Sequence, residues 1–261
     1  MSVASALRQA QDRITYVGHA TTLIELAGVR LLTDPVLRSR LLLLIRRHGA
    51  TPASEISQAI DAVLISHLHA DHLDFPSLRR LGRQMPVIVP SGGGRGLARR
   101  GFRNVVELDP GESTSVGPVE VRATPAAHEG RRWKAGRHVD AVGYLMHGGG
   151  RRLYFAGDTD LFEGMRDLAG SLDVALLPVA GWGPNIRVGH LDPDRAAQAA
   201  AILRPRIAVP IHWGTLLRAD LARRWPDVLT APPREFASRV AELAPSVDAR
   251  VLAPGETLSL H

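Results

Sequence analysis

The chain of 261 residues contains no cysteine. Disulfides are therefore excluded, a thiol nucleophile is impossible, and any metal site must be built from histidine and carboxylate. The absence fits a reducing cytosol. Lysine is nearly absent as well: Lys134 stands alone, and every other member of the 32 basic residues is arginine. A formal charge of +6 invites a nucleic-acid or anionic-surface reading. The arginines, however, lie in scattered pairs (Arg46-Arg47, Arg99-Arg100, Arg131-Arg132, Arg151-Arg152) with few aromatics between them. Single-strand binders need stacking platforms, so no nucleic-acid partner is expected. No apolar run approaches a membrane span, and Met1 to Arg13 lacks the apolar core of a signal peptide. A cytoplasmic protein is the expectation.

What is present supports a sizeable core: 45% of residues are hydrophobic and 22% charged. Short β-rich runs recur at Ile14-Val17, Thr22-Leu26, Arg30-Thr33, Ala62-Ser66, Val87-Pro90, Val119-Ala123, Ala141-Met146, Arg152-Ala156, Val174-Pro178 and Ile207-Ile211. The first three, with Ala27-Gly28 as a turn, predict an antiparallel meander. Helical patterns fall at Phe75-Leu81, Gly96-Arg100, Pro193-Leu203 (capped by Asp192) and Pro232-Leu243. The tail from Val251 to Leu260 reads as a turn and a closing strand. With no repeat and no low-complexity linker, residues 1–261 are expected to form one α/β domain. Two mixed β-sheets face to face, flanked by helices, make a four-layer αββα sandwich.

The densest chemistry lies directly behind the run Ala62-Ser66, in His67-Leu68-His69-Ala70-Asp71-His72. Four metal-type ligands occupy six residues at the mouth of a buried strand. A tight loop there can aim His67 and His69 at one metal, and Asp71 and His72 at a second. Three more candidates follow strands: His128, Asp158 in Gly157-Asp158-Thr159, and His212. Taken singly, Asp158 could be a turn residue and His212 a packed one beside Trp213. Their joint appearance raises all three.

This succession, with Tyr16-Val-Gly-His-Ala-Thr-Thr22, Leu32-Thr-Asp-Pro35 and Val209-Pro-Ile-His-Trp-Gly-Thr215, resembles the metallo-β-lactamase superfamily. Within it, the chain is similar to the branch holding N-acyl-phosphatidylethanolamine-hydrolysing phospholipase D and the ascorbate-6-phosphate lactonases. The resemblance implies the αββα fold and a dinuclear site. His67, His69 and His128 would hold one metal; Asp71, His72 and His212 the other; Asp158 would bridge them. Zinc suits the donors best, with iron or manganese as alternatives. His190, in a Gly-His pair before the alanine-rich helix, becomes a candidate for substrate contact or proton transfer, the alternative being a helix-start packing role. His19 and Asp34 become candidates to orient ligand imidazoles by hydrogen bonds, or else a buried structural pair. The family often has Gly where Asp160 follows Gly-Asp-Thr; the added carboxylate would either repel an anionic substrate or face solvent.

Two metals lower the pKa of a bridging water and so generate hydroxide near neutral pH. Asp71 would orient that nucleophile, and His190 or a water would protonate the leaving group. The expected reaction is hydrolysis, first of a phosphodiester that could be lipid-derived, second of a lactone or carboxylic ester. A ribonuclease or a non-catalytic metal-binding module ranks lower. Arg131, Trp133, Lys134 and Trp213 are candidates to bind a small or lipid-like anionic substrate. Leu37 to His48 joins five consecutive apolar residues, Leu41-Ile45, to basic flanks. That segment predicts either an interfacial helix touching a membrane or a helix packed into the core or a partner subunit of a homo-oligomer. Ser91-Gly-Gly-Gly-Arg-Gly96 lacks the ending of a phosphate-cradling loop and reads as a turn.

Overall fold

The apolar runs become strands wherever β-branched residues cluster and both faces can be covered. A computed structural model describes residues 11–46, 54–130, 132, 138–181, 188–218, 221, 224 and 226–261. In chain order the first half holds β1 (Arg13–Gly18), β2 (Thr21–Leu26), β3 (Val29–Thr33), β4 (Arg40–Leu41), β5 (Leu44–Arg46), β6 (Ala62–Leu64), α1 (Phe75–Leu81), β7 (Val87–Pro90), α2 (Gly94–Ala98) and β8 (Val105–Leu108). The second half holds β9 (Ser113–Val116), β10 (Val119–Glu129), β11 (Asp140–Gly148), β12 (Arg151–Phe155), β13 (Val174–Pro178), α3 (Pro193–Leu203), β14 (Ile207–Ile211), β15 (Leu216–Arg218), α4 (Ala231–Leu243), β16 (Asp248–Ala249) and β17 (Thr257–Ser259).

Two seven-stranded mixed sheets result, ordered β17-β1-β2-β3-β6-β7-β8 and β16-β14-β13-β12-β11-β10-β9. The expected meander is β1-β2-β3, and the closing tail strand pairs with β1. Ile14, Tyr16, Ile24, Leu31 and Leu64 of the first sheet share one core with Val121, Tyr144, Met146, Phe155 and Leu176 of the second. Leu78 of α1 and Leu97 of α2 cover the first sheet through Val63, Val87 and Val89. On the second, α3 and α4 pack against β13, β14 and each other. The architecture is the αββα sandwich.

Strand sense decides where the chemistry collects. Two antiparallel steps make β1 co-oriented with β3, which is parallel to β6. Likewise β10 is co-oriented with β12, which runs parallel to β13 and β14. His19, Asp34, His67, His128, Asp158 and His212 therefore all leave the carboxyl ends of co-oriented strands, where α/β sheets place ligand sites.

The Leu41-Ile45 run is not a helix. β4 and β5 form a hairpin whose second strand pairs with β15. Leu41 and Leu44 are buried with Val36 and Leu216, while Leu42 and Leu43 at the tip are each 75% exposed. Five apolar residues in a row carry no period, and the open edge of β15 settles the choice for strand.

Candidate metal centre

The His-rich loop is shaped locally. His72 N and Leu73 N both donate to His69 O, at 3.1 and 2.8 Å, which closes a turn. Asp74 then caps α1, accepting from Ser77 N at 3.2 Å with Pro76 in the first turn. The turn leaves His67, Asp71 and His72 buried, and His69 half-buried. From the second sheet, a bulge in β10 between Pro125 and Glu129 re-aims His128. Gly157 has φ +61 and lies so close to the loop that an added Cβ would sit 2.5 Å from Ser66 Cβ. Only glycine allows Asp158 this approach. His19, Asp34 and His212 all take left-handed φ (59, 34 and 63). Each such non-glycine residue costs on the order of 1–2 kcal/mol, and strain of this kind concentrates at functional sites.

Seven side chains converge in two groups. His67 Nε2 and His128 Nε2 lie 2.9 and 3.3 Å from His69 Nδ1. His72 Nε2 and His212 Nε2 lie 3.3 Å apart, with Asp71 Oδ2 at 3.5 and 3.6 Å from them. Asp158 stands between: Oδ2 is 3.2 Å from His72 Nε2 and 4.0 Å from His67 Nε2, and Oδ1 is 3.3 Å from His212 Nε2.

The far sides of these rings are tied down. His128 Nδ1 donates to Gly189 O and His212 Nδ1 to Ala180 O, both at 2.8 Å. A carbonyl can only accept, so each ring carries its proton on Nδ1 and turns an Nε2 lone pair inward. His72 Nδ1 donates to Asp34 Oδ2 at 2.7 Å, and His67 Nδ1 lies 3.0 Å from Ser66 Oγ. Asp34 is itself fixed by Ser66 N and Ser66 Oγ, at 2.7 and 2.6 Å. His19 Nε2 lies 2.7 Å from Asp71 Oδ2. Outer partners of this type orient metal-binding histidines.

A family profile described as a beta-lactamase superfamily domain matches residues 29–213. The chain belongs to the metallo-β-lactamase superfamily. It is a metal-dependent hydrolase of that superfamily. Over 95% of its length it is 32% identical to the whole of a metal-dependent hydrolase from Opitutus terrae. N-acyl-phosphatidylethanolamine-hydrolyzing phospholipase D 1 of Caenorhabditis elegans is also 32% identical, over 77% of this chain and 63% of that one, so the chain spans less than two thirds of that enzyme. A metallo hydrolase structure from the archaeon Ignicoccus hospitalis superposes with TM-score 0.74 at 26% identity, covering 97% and 99% of the two chains.

The donors of this metallo-β-lactamase superfamily protein fit divalent cations. Imidazole nitrogens and two buried carboxylates face one another across the centre, a donor set that suits a divalent cation. Asp158 Oδ1 is buried and makes no hydrogen bond, even with His212 Nε2 3.3 Å away. Burial pushes the pKa of Asp158 up, but His212 and His72 outweigh it and hold the carboxyl well below the usual range. Asp71 behaves alike, through His72 and the bonds from His19 and His212. Burial lowers His67 and His69, and takes His128 and His19 to about 4, so these four are neutral, as ligation requires. His72 is the exception. Burial lowers it, yet Asp158, Asp71 and Asp34 together raise it well above 6.5. Metal-free protein at neutral pH thus keeps on His72 a proton that a cation must displace. Cation uptake at pH 7 is expected to release about one proton, and affinity is expected to fall as pH falls. Calorimetry in two buffers of different ionisation enthalpy checks this; a heat independent of buffer would refute it.

His190 Nε2 reaches within 3.4 Å of Asp158 Oδ2, which puts this residue at the centre too. Other expectations fare differently. Trp213 is buried, stacked on Tyr16 at 5.6 Å, with its indole N–H on Pro210 O. Arg131, Trp133 and Lys134 lie outside the described residues. Their neighbour Arg132 braces the His-rich loop, donating to Leu68 O and Leu73 O at 3.2 and 2.6 Å. Asp160 does not face solvent: it is buried and pairs with Arg195. Ser66 and the carbonyls of Gly189 and Ala180 escape sequence reading. Ser66 adjoins His67, but a backbone carbonyl leaves no residue-type signal.

Proposed function

We propose that this centre hydrolyses a phosphodiester in a lipid-derived, anionic substrate, using two divalent cations, with zinc the ion best suited to the donors. The observation that carries the reading is Asp158, set between two histidine groups whose ring nitrogens are turned toward it. Cations held by His67, His69 and His128, and by Asp71, His72 and His212, would supply Lewis acidity and lower the pKa of a water toward neutrality. Asp71, steadied by His19, can accept a hydrogen bond from that water and direct its attack. His190 has a side chain 24% exposed and an edge on the centre, so it is placed to pass a proton to the leaving oxygen.

Two observations support the lipid class. One relative at 32% identity is a phospholipase D by name. The other is the hairpin tip, where Leu42 takes φ +53 while leaving its side chain 75% exposed. Strain that buries nothing suits a contact made elsewhere, and arginines flank the tip. No described helix is long and apolar enough to cross a membrane, so the contact proposed is peripheral. Leu42→Asp combined with Leu43→Asp is expected to cut co-sedimentation with phosphatidylserine vesicles at least about fivefold while leaving hydrolysis of a soluble ester unchanged. Equal sedimentation of parent and variant would refute the membrane contact.

The decisive experiment pairs metal analysis with turnover. Chelation is expected to abolish hydrolysis of bis(p-nitrophenyl) phosphate, and two equivalents of zinc to restore it. Activity on lactones with none on phosphodiesters would overturn the bond assignment. Absence of both in the loaded protein would leave a cation-binding module.

A further inference from the structure

Asp160 has no part in the chemistry above, although it lies two residues beyond Asp158 and is buried. Both carboxylate oxygens are engaged. Oδ1 accepts from Leu161 N at 2.6 Å and pairs with Arg195 Nη2; Oδ2 accepts from Gly189 N at 3.2 Å. Arg195 belongs to the first turn of α3, and its Nη1 lies 3.4 Å from His190 O. The Gly189-His190 segment is thus held at both ends, its N–H by the acid and its carbonyl by the base. Gly189 O is the acceptor for His128 Nδ1.

The other side of His128 is held by the same unit. Asp160 N donates to Ala127 O at 3.1 Å, and Ala127 N donates to Thr159 Oγ1 at 2.9 Å. Gly189 has φ +88, and a Cβ there would stand 3.4 Å from His128 Nδ1, so ring and backbone are in contact. The segment that delivers Asp158 therefore grips His128 twice, through its own strand and through its ring. Arg195 neutralises the Asp160 charge, which keeps this carboxylate from competing for cations.

We propose that Asp160 and Arg195 act as a positioning pair that sets the rings of His128 and His190 against Asp158, and so governs cation affinity at the His67, His69, His128 group. This rests on the functional reading above, because it takes His128 as a ligand. Neither residue touches the reacting atoms; both act through Gly189 and His190.

The test is titration of metal-stripped protein with cobalt(II), followed by its visible spectrum and by equilibrium dialysis. It compares the parent with His128→Ala, Asp160→Ala, Arg195→Ala and the double variant of the pair. His128→Ala is expected to lose one of two cobalt sites. Asp160→Ala and Arg195→Ala are each expected to weaken that same site about 10–100-fold and leave the other unchanged. The double variant should be no weaker than the worse single, the mark of coupled residues. Turnover should lose kcat and regain it at saturating cobalt(II), with the folded fraction by circular dichroism equal to that of the parent, which a loss of global stability would not produce. Parental affinity at both sites in Asp160→Ala, with one site lost in His128→Ala, would overturn the positioning pair alone. Two intact sites in His128→Ala would overturn the ligand reading beneath it. Should Asp160→Ala fail to fold, Arg195→Gln replaces it and separates the same two outcomes, since the Arg195 side chain is 36% exposed.

Discussion

Alanine at Asp158 is expected to lower kcat/KM on a phosphodiester by at least about 1,000-fold, which corresponds to about 4 kcal/mol of transition-state stabilisation. The carboxylate lies within reach of both histidine groups, and a pair of cations a few ångströms apart needs a negative charge between them. Its loss also removes the strongest of the charges that raise His72 against burial. With that attraction gone, burial pulls His72 back toward neutrality, and the metal-free protein should release fewer protons on binding. Kinetics on bis(p-nitrophenyl) phosphate together with metal content by mass spectrometry provide the check. A variant that keeps two equivalents and a near-parental rate would remove Asp158 from the mechanism.

The second large effect is expected from Asp34→Asn, which touches no candidate ligand atom of the centre. Asparagine tolerates the left-handed φ of 34 that this position requires. Ser66 N–H demands an acceptor 2.7 Å away, so the amide oxygen must take that place. The amide NH2 is then left facing His72 Nδ1, where Asp34 Oδ2 stood at 2.7 Å. A donor there forces the His72 proton to Nε2 and withdraws the lone pair from the centre. Affinity at the Asp71, His72, His212 group should drop about 10–100-fold, with turnover following. Imidazole nitrogen shifts report the tautomer directly. Unaltered shifts and full affinity would show that Asp34 serves only to hold Ser66.

Much of this was legible in the residues because the signals are local. Pro193–Leu203 announces itself through Asp192, Pro193 and its alanines, and the six residues behind Ala62-Ser66 carry their ligands at one strand end. His128, Asp158 and His212 needed their shared position after strands, which the co-orientation of β10, β12 and β14 explains. Other features have no local signature. β8 and β9 are short, partly exposed and polar in places, so neither period shows. The β4-β5 hairpin depends on β15, far along the chain, offering an edge. The Asp160-Arg195 pair joins a strand-end loop to a helix start, and nothing in Gly-Asp-Thr-Asp foretells the arginine.

Each donor group draws on both sheets. His67 and His69 follow β6 of the first while His128 lies near the carboxyl end of β10 of the second; Asp71 and His72 share the first while His212 follows β14 of the second. Cations seated there would rivet the two halves of the sandwich together. A polypeptide without a single thiol would then possess removable cross-links, and its melting temperature would climb with free cation concentration as binding to the folded state alone requires.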